Sequence, residues 1–298
     1  MHGTDVVARM FRESARRLKV GGVTLNVAQL GAGPPALLLH GFPDSLRLWD
    51  PVALRIATAG YRVIAPDLRG FGDSDAPAGR RHYGIDRLLG DLVELLLALD
   101  VPGPVHVVGH DWGAVLAWCL AMSQPERVRS SVVISVGHPR EYALAGLEQK
   151  RKGLYTIGWQ FSGIAERWLT RNDCRQLRYW LRQHPDSQTC VRDLARPARL
   201  TAGLNWYRAN LLPVLFRSWP QCRVPTLGIW SSADHCLAED QMQRSARRVA
   251  APWRYERVEG AGHWIPLERP ERVAELAVDW FRTFPVPVPG AGGRIRRI

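Results

Sequence analysis

Asp111 is the residue whose type and setting say most about the chemistry of this sequence. It is the central residue of Gly109-His110-Asp111-Trp112-Gly113, which follows the apolar run at residues 105–108. This spacing matches the G-x-S-x-G turn between a strand and a helix, with aspartate in place of the serine nucleophile. The flanking glycines suit a turn in which two backbones approach too closely for a Cβ. A carboxylate can displace a leaving group from saturated carbon and form an alkyl ester that water cleaves. The sequence therefore predicts epoxide opening or halide removal rather than ester hydrolysis.

Two further side chains would complete the machinery for hydrolysing such an ester. Asp234 follows the apolar residues 227–230, and His263 lies in a glycine-rich turn before the last helical pattern. The chain order nucleophile, acid, histidine is one of the known orders of a catalytic triad. We expect His263 to act as general base on the hydrolytic water, while Asp234 holds its tautomer and stabilises the imidazolium. The neighbouring His235 receives no role from the sequence.

A tight turn, His40-Gly41-Phe42-Pro43, closes another short apolar run at residues 36–40. We expect the backbone N–H groups of Phe42 and Trp112 to point at one oxygen. They would form an oxyanion hole for the intermediate of ester hydrolysis. The rings of His40 and His110 are interpreted as supports of the neighbouring loops.

Short apolar segments rich in valine and isoleucine alternate with helical patterns along most of the chain. The predicted strands are a hairpin over 18–29 and buried strands at 36–40, 61–65, 105–108, 128–136, 224–230 and 254–259; helical patterns cover 85–99, 113–122, 239–249 and 271–284. Such alternation predicts an α/β fold with a mostly parallel sheet and helices on both faces. Asp111, Asp234 and His263 all fall close after predicted strands, at the edge where such sheets bind ligands.

Residues 138–219 break this alternation, because they contain no convincing strand and hold five tryptophans among arginines and helix formers. We interpret them as a helical cap inserted over the carboxyl ends of the strands. The sequence thus predicts a leader at 1–17, core segments at 18–137 and 220–284, the cap at 138–219 between them, and a disordered basic tail at 285–298.

Taken together, these motifs resemble the α/β-hydrolase superfamily, and within it the epoxide hydrolase branch, over residues 20–284. The segment Gly203-Leu204-Asn205-Trp206-Tyr207-Arg208 is similar to the cap segment whose tyrosine binds the epoxide oxygen, and residues 154–166 resemble the segment that supplies a second tyrosine. The resemblance implies that Tyr155 and Tyr207 donate to the ring oxygen and stabilise the developing alkoxide. A phenol pKa of about 10 keeps such a donor neutral at pH 7.

The expected pocket is apolar, with His40, Pro43, Trp159, Trp206 and Trp264 in its wall. The tryptophans favour an apolar epoxide, which water converts to a vicinal diol without a metal or an organic cofactor. The pattern also departs from the family. Gly158, Trp159 and Ser162 stand where members often carry a bulkier residue, phenylalanine and proline, so the expected pocket shape differs.

Other functions share parts of this pattern. Haloalkane dehalogenases share the Asp-Trp-Gly elbow and hold the halide between that tryptophan and a second donor, often an asparagine. Here Phe42 stands at the position of that second donor. Its side chain cannot donate a hydrogen bond, so epoxide hydrolysis is favoured. A non-catalytic relative would be expected to lose a member of the triad, and an esterase needs serine at the elbow. The dehalogenase and the non-catalytic ligand-binding relative stay open as alternatives.

Composition narrows the class of protein further. The net charge is +12, but the arginines are scattered and no nucleic-acid motif accompanies them, so no nucleic-acid partner is expected. Five cysteines without paired or metal-ligand spacing predict reduced thiols in a cytoplasmic protein. No segment reaches the roughly 18 uncharged apolar residues of a transmembrane span. A homodimer stays open.

Overall fold

A computed structural model describes residues 9–101 and 103–287, and an eight-stranded sheet forms its centre. The strands are β1 (Arg16–Val20), β2 (Val23–Leu30), β3 (Pro35–Leu39), β4 (Arg62–Pro66), β5 (Val105–His110), β6 (Val128–Ile134), β7 (Thr226–Ser231) and β8 (Trp253–Val258). Their order is β1-β2-β4-β3-β5-β6-β7-β8. Strand β2 pairs antiparallel with β1 and with β4, whereas β3 to β8 all run parallel to one another. The predicted mostly parallel sheet is confirmed.

Helices cover both faces of this sheet. In chain order the helices are α1 (Asp50–Thr58), α2 (Ile85–Ala98), α3 (Trp112–Ser123), α4 (Pro139–Ala143), α5 (Leu147–Lys152), α6 (Tyr155–Gly158), α7 (Ile164–Trp180, broken by non-helical backbone at 171–174), α8 (Ser187–Ala195), α9 (Arg199–Phe216), α10 (Glu239–Arg244), α11 (Ile265–Glu268) and α12 (Pro270–Thr283). The predicted α/β class with helices on both faces is confirmed.

Side-chain alternation along the central strands creates two cores. Leu37 and Leu39 of β3 pack on one side with α2 and α3, whereas Leu38 packs on the other side with α1 and α12. Because both faces are covered, the central strands are continuously apolar rather than alternating. Helix α3 is buried from Trp112 to Ala121, so it requires no polar face. This burial fixes the start of α3, and hence Asp111, against the sheet.

Six helices, α4 to α9, connect β6 to β7, and we call them the helical insertion. Helix α9 binds it to the rest of the molecule through buried polar contacts. The indole N–H of Trp206 donates to the carbonyl of Arg69 across 3.0 Å. The Asn210 amide donates to the carbonyl of Tyr83 at 2.7 Å and accepts from the N–H of Ile85 at 2.8 Å. These bonds satisfy groups that would be costly to bury alone, and so they fix the position of α9 over the sheet.

The ends of several elements differ from the predicted bounds. Strand β6 ends at Ile134 rather than 136, because Ser135 adopts φ 72° and turns the chain. Helix α10 ends at Arg244, and a 3-10 turn follows it. Strand β1 begins at Arg16, and Phe11 is fully buried in the second core, so part of the predicted leader packs against the fold. Residues 1–8 of that leader and 288–298 of the predicted tail lie outside the described residues.

Two further features concern membrane-spanning helices and the state of the cysteines. Within the part of the chain that the structure describes, none of the helices has the length and apolar character needed to cross a membrane. All five cysteines have free thiols.

Candidate active site

Asp111 occupies the turn between β5 and α3. Its backbone adopts φ 53° and ψ −120°, a conformation that costs a non-glycine residue about 1–3 kcal/mol. A Cβ on Gly109 would collide with the carbonyl of Gly113, and one on Gly113 would collide with the carbonyl of Leu39. Glycine at both places therefore permits the close approach of strand and helix that exposes the Asp111 carboxylate at the sheet edge.

Each oxygen of the Asp111 carboxylate faces a different group. The backbone N–H of Phe42 donates to Oδ1 across 2.9 Å. His263 Nε2 lies 3.7 Å from Oδ2, which is longer than a hydrogen bond. A Cβ on Gly41 would overlap the same carboxylate, so glycine is needed where this loop meets Asp111. One predicted oxyanion donor is thus in contact with Asp111, while the role of the Trp112 N–H stays a prediction.

Asp234 holds the opposite side of the His263 ring. Its Oδ2 accepts from His263 Nδ1 at 2.9 Å, and its Oδ1 accepts from the backbone N–H groups of Cys236 and Leu237 at 2.8 and 2.9 Å. His110 adds a second support, because its Nε2 donates to the carbonyl of His263 at 2.9 Å. With Nδ1 donating to Asp234, the neutral ring presents an unprotonated Nε2 toward Asp111.

Opposing effects act on the charge of the His263 ring. Burial lowers the pKa of His263, but the negative charge of Asp234 outweighs it and holds that pKa well above the usual value of about 6.5. Burial also acts to raise the pKa of Asp234, yet His263 and the hydrogen bonds keep it below its usual range. The charge of Asp234 therefore stabilises the protonated form of the His263 ring.

Tyr155 of α6 and Tyr207 of α9 line the cavity that holds Asp111. Their ring centroids are 6.3 Å apart, and the Tyr207 ring meets Trp112 edge to face at 5.1 Å. Burial raises the pKa of both phenols well above 10, and the charge of Asp111 adds to the effect at Tyr207. Both phenols are therefore neutral and able to donate a proton or a hydrogen bond. The rest of the cavity wall is mostly apolar and comprises Trp112, Val115, Val136, Pro139, Tyr142, Thr156, Leu211, Val214, Cys236 and Leu237.

Comparison with known proteins places this chain in a family. A sequence family described as alpha/beta hydrolase fold matches residues 34–270. Epoxide hydrolase A of Mycobacterium tuberculosis is 32% identical, and the match covers 91% of this chain and 98% of the relative. Epoxide hydrolase 2 of Siraitia grosvenorii is 30% identical over 90% of this chain and 98% of its own. The chain belongs to the epoxide hydrolase family of α/β-hydrolases.

A solved epoxide hydrolase structure supports this membership at the level of the fold. The crystal structure of epoxide hydrolase VrEH1 from Vigna radiata superposes with a TM-score of 0.79 at 29% identity, covering 91% of this chain and 98% of that one. The likeness thus extends over both the sheet and the helical insertion. It confirms the predicted fold and the family resemblance.

The part of the predicted pocket wall in substrate binding stays a prediction for this epoxide hydrolase family member. His40, Pro43, Trp159, Trp206 and Trp264 are not among the residues that line the cavity at Asp111. His40 is a structural residue, because its Nε2 accepts from the N–H of Leu68 and its Nδ1 donates to the carbonyl of Gly41, both at 2.9 Å. These bonds agree with its interpretation as a loop support.

The tryptophans and Pro43 act from behind the wall. Trp159 packs 4.7 Å from the ring of Tyr207 and 4.6 Å from that of Tyr155, and Trp264 packs 5.1 Å from that of His263. Trp206 is fully buried, and Pro43 lines a different cavity, with Asp44. The indole rings of Trp159 and Trp264 thus pack against Tyr155, Tyr207 and His263 and help to hold those side chains in place.

Several residues near the site carried no usable sequence signal. Tyr142 lines the cavity, where burial and Asp111 raise its pKa to about 12. Lys152 Nζ donates to the carbonyls of Asp234 and Leu237 at 2.8 and 3.1 Å and so holds the loop of the acid. The thiol of Cys236 lies within 4.8 Å of a ring nitrogen of His263 and of a carboxylate oxygen of Asp234. Among these residues, only Cys236 could have been linked to the site from the sequence, because it follows Asp234 by two positions.

Arg208 links the two segments that carry the tyrosines. It follows Tyr207 on α9, and its guanidinium donates to the carbonyl of Trp159 at 2.9 Å and to Glu166 at 2.7 Å. Only 4% of the Arg208 side chain is exposed, so this is a largely buried, bidentate ion pair of the kind that fixes geometry. It sets the spacing between Tyr207 and the segment that begins at Tyr155.

The environment of His263 leads to a prediction about pH. If an epoxide alkylated Asp111, as the sequence predicts, one of the two negative charges beside the ring would be lost, and the pKa of His263 would fall, so that the ring could act as the expected base in ester hydrolysis. We therefore expect ester hydrolysis to quicken about tenfold per pH unit until the ring is neutral. Rapid-quench single turnovers at a series of pH values should show the ester accumulating at low pH. An ester half-life that does not change with pH would exclude His263 as the base.

Proposed function

We propose that this protein hydrolyses an apolar epoxide to a vicinal diol through a covalent ester on Asp111. Family membership supports epoxide hydrolysis in general. One observation carries the mechanism: a single carboxylate has a backbone N–H at 2.9 Å from Oδ1, a histidine at 3.7 Å from Oδ2, and two neutral tyrosines in the same cavity.

In the first step, Oδ2 of Asp111 attacks a ring carbon of the epoxide. The carbon–oxygen bond breaks, and its electron pair moves to the ring oxygen. Tyr155 and Tyr207 stabilise that oxygen by hydrogen bonding, and one of them supplies the proton that converts it to a hydroxyl. The raised phenol pKa values support this role, because they keep both groups protonated at neutral pH.

In the second step, His263 Nε2 takes a proton from a water molecule as the oxygen of that water attacks Cγ of Asp111. The 3.7 Å separation exceeds a direct hydrogen bond, which supports a water placed beside both groups. Negative charge develops on Oδ1, where the Phe42 N–H already donates. Collapse of the intermediate expels the diol oxygen, which receives the proton from His263. The proton of the new carboxylic acid returns to the tyrosinate left by the first step, which regenerates the Asp111 carboxylate and both phenols.

Isotope labelling tests this mechanism directly. A single turnover in heavy-oxygen water should place one labelled oxygen on Asp111 and none in the first diol released. Label in that diol and an unlabelled Asp111 peptide would instead indicate direct attack of water on the epoxide. A parallel assay with haloalkanes measures halide release, and turnover of these compounds in preference to epoxides would favour the dehalogenase.

The tyrosines should control formation of the ester. Tyr207→Phe and Tyr155→Phe are each expected to slow it by about 10²- to 10³-fold, because each removes a donor to the developing alkoxide. Hydrolysis of the ester, once formed, should change much less. Stopped-flow single turnovers separate the two rates, with Tyr61→Phe as a control on a tyrosine that packs against His106, outside the lining of the cavity. Equal slowing of both steps would argue for a general loss of packing.

A further inference from the structure

A second cavity adjoins the one that holds Asp111. We call it the vestibule; it is lined by Lys152, Tyr155, Tyr179, Trp180, Arg182, His235 and Cys236. Tyr155 and Cys236 line both cavities, so these two side chains form the shared wall. The ring of His235 lies 6.3 Å from that of His263. A substrate group held in the vestibule would therefore need only a short connecting chain to reach the epoxide carbon at Asp111.

The vestibule has a positive charge. Lys152 and Arg182 face it, and no aspartate or glutamate stands among the described residues that line it. Lys152 directs its ammonium to the carbonyls of Asp234 and Leu237 and to the exposed Glu148, so it contributes mainly to the local field. In contrast, the wall of the catalytic cavity is mostly apolar. The two cavities together match a molecule with an apolar body and an anionic end.

Arg182 and His235 are positioned to contact such an anion. The Arg182 guanidinium stacks 4.1 Å over the ring of Tyr179, and Nη1 donates to the carbonyl of Tyr179 at 2.8 Å. These contacts hold the planar group in place while most of its N–H donors remain for a ligand. Burial and the neighbouring His263 lower the pKa of His235, so it offers a neutral ring N–H near the shared wall.

We propose that the vestibule is a substrate subsite for the carboxylate end of an amphipathic epoxide, with Arg182 as its main contact. The proposal rests on the proposed epoxide hydrolysis and adds a substrate class to it. The epoxide ring lies at Asp111, and the connecting chain passes between Tyr155 and Cys236. A guanidinium suits a carboxylate because two parallel N–H groups match its two oxygens.

The test compares an epoxy carboxylate with its primary amide, which has nearly the same shape and no charge. We expect kcat/KM to favour the carboxylate by about tenfold, since a hydrogen bond to a charged group is stronger than one to a neutral group. The preference should shrink with added salt, because the vestibule is open to solvent. A series of chain lengths should show an optimum at the length that spans the shared wall.

Arg182→Gln should reduce the carboxylate-to-amide ratio of kcat/KM to near one. Arg178→Gln is the matched control, because Arg178 precedes Arg182 by four residues, pairs with Asp173 and does not line the vestibule. That variant should keep the wild-type ratio. An equal ratio in wild type and Arg182→Gln would overturn the subsite while leaving epoxide hydrolysis intact. If neither compound nor a simple apolar epoxide gives a diol, the proposed function itself fails.

Discussion

Asp111→Asn is expected to reduce diol formation at least about 10⁴-fold, because the amide is a poor nucleophile and no neighbouring group replaces it. The variant keeps the shape of the side chain and a residue type tolerant of the backbone at φ 53°. The fold should therefore survive, and circular dichroism with a thermal melt checks it. Steady-state assays with a chromogenic epoxide measure the loss, and intact-protein mass spectrometry excludes reversion by deamidation.

A suitable control for this change is Asp100→Asn. Asp100 also has a positive φ, 54°, but lies in the exposed turn after α2, away from the cavity. It should retain wild-type turnover. An Asp111→Asn enzyme that retained more than a few per cent of its activity without deamidation would refute covalent catalysis by this residue.

His263→Gln should still allow the ester on Asp111 to form, but should stop its hydrolysis. Asp111 keeps its oxyanion donor, Phe42, and both tyrosines, so an epoxide can still alkylate it. Without a base for the water, turnover should fall by about 10²- to 10⁴-fold. Intact-protein mass spectrometry should then show one added substrate mass per chain, and peptide mapping should place it on Asp111.

His82→Gln serves as the control, because His82 lies outside the cavity wall and contacts the Arg81 guanidinium at 3.2 Å. It should turn over normally and accumulate no adduct. If His263→Gln lost activity without any adduct, His263 would be needed for the first step and the assignment of the general base would be wrong.

Most of the fold could be predicted from the spacing of residues that are close together in the sequence. The Gly109 and Gly113 pair, the turn at Gly41 and the alternation of apolar strands with helices all depend on neighbours along the chain. Backbone sterics acts over such short distances, so the position of the elbow at Asp111 follows from the order of the residues alone. The order of Asp111, Asp234 and His263 then predicted that they would meet, because parallel strands end at one edge.

The pocket wall could not be predicted in this way. Trp206 and Trp264 have the residue type of a pocket wall, yet both are buried behind it, and the Trp206 N–H finds its acceptor in Arg69, 137 positions away. Tyr142, which does line the cavity, has no distinguishing neighbour in the sequence. Whether an aromatic side chain lines the cavity or lies behind its wall depends on how the helical insertion packs. Hydrophobic burial is not directional, so the residue type alone does not decide between these two positions.

The sequence by itself determined which groups are available to this protein: carboxylates at Asp111 and Asp234 and the imidazole of His263, in an order that fits a triad, on an α/β sheet. Only the tertiary structure decided how those groups are surrounded. It placed Tyr155 and Tyr207 in the cavity of Asp111, raised the pKa of His263 between two carboxylates, and opened a positively charged vestibule beside it. These properties depend on burial and on charges far apart in the chain, and both arise only in the folded molecule.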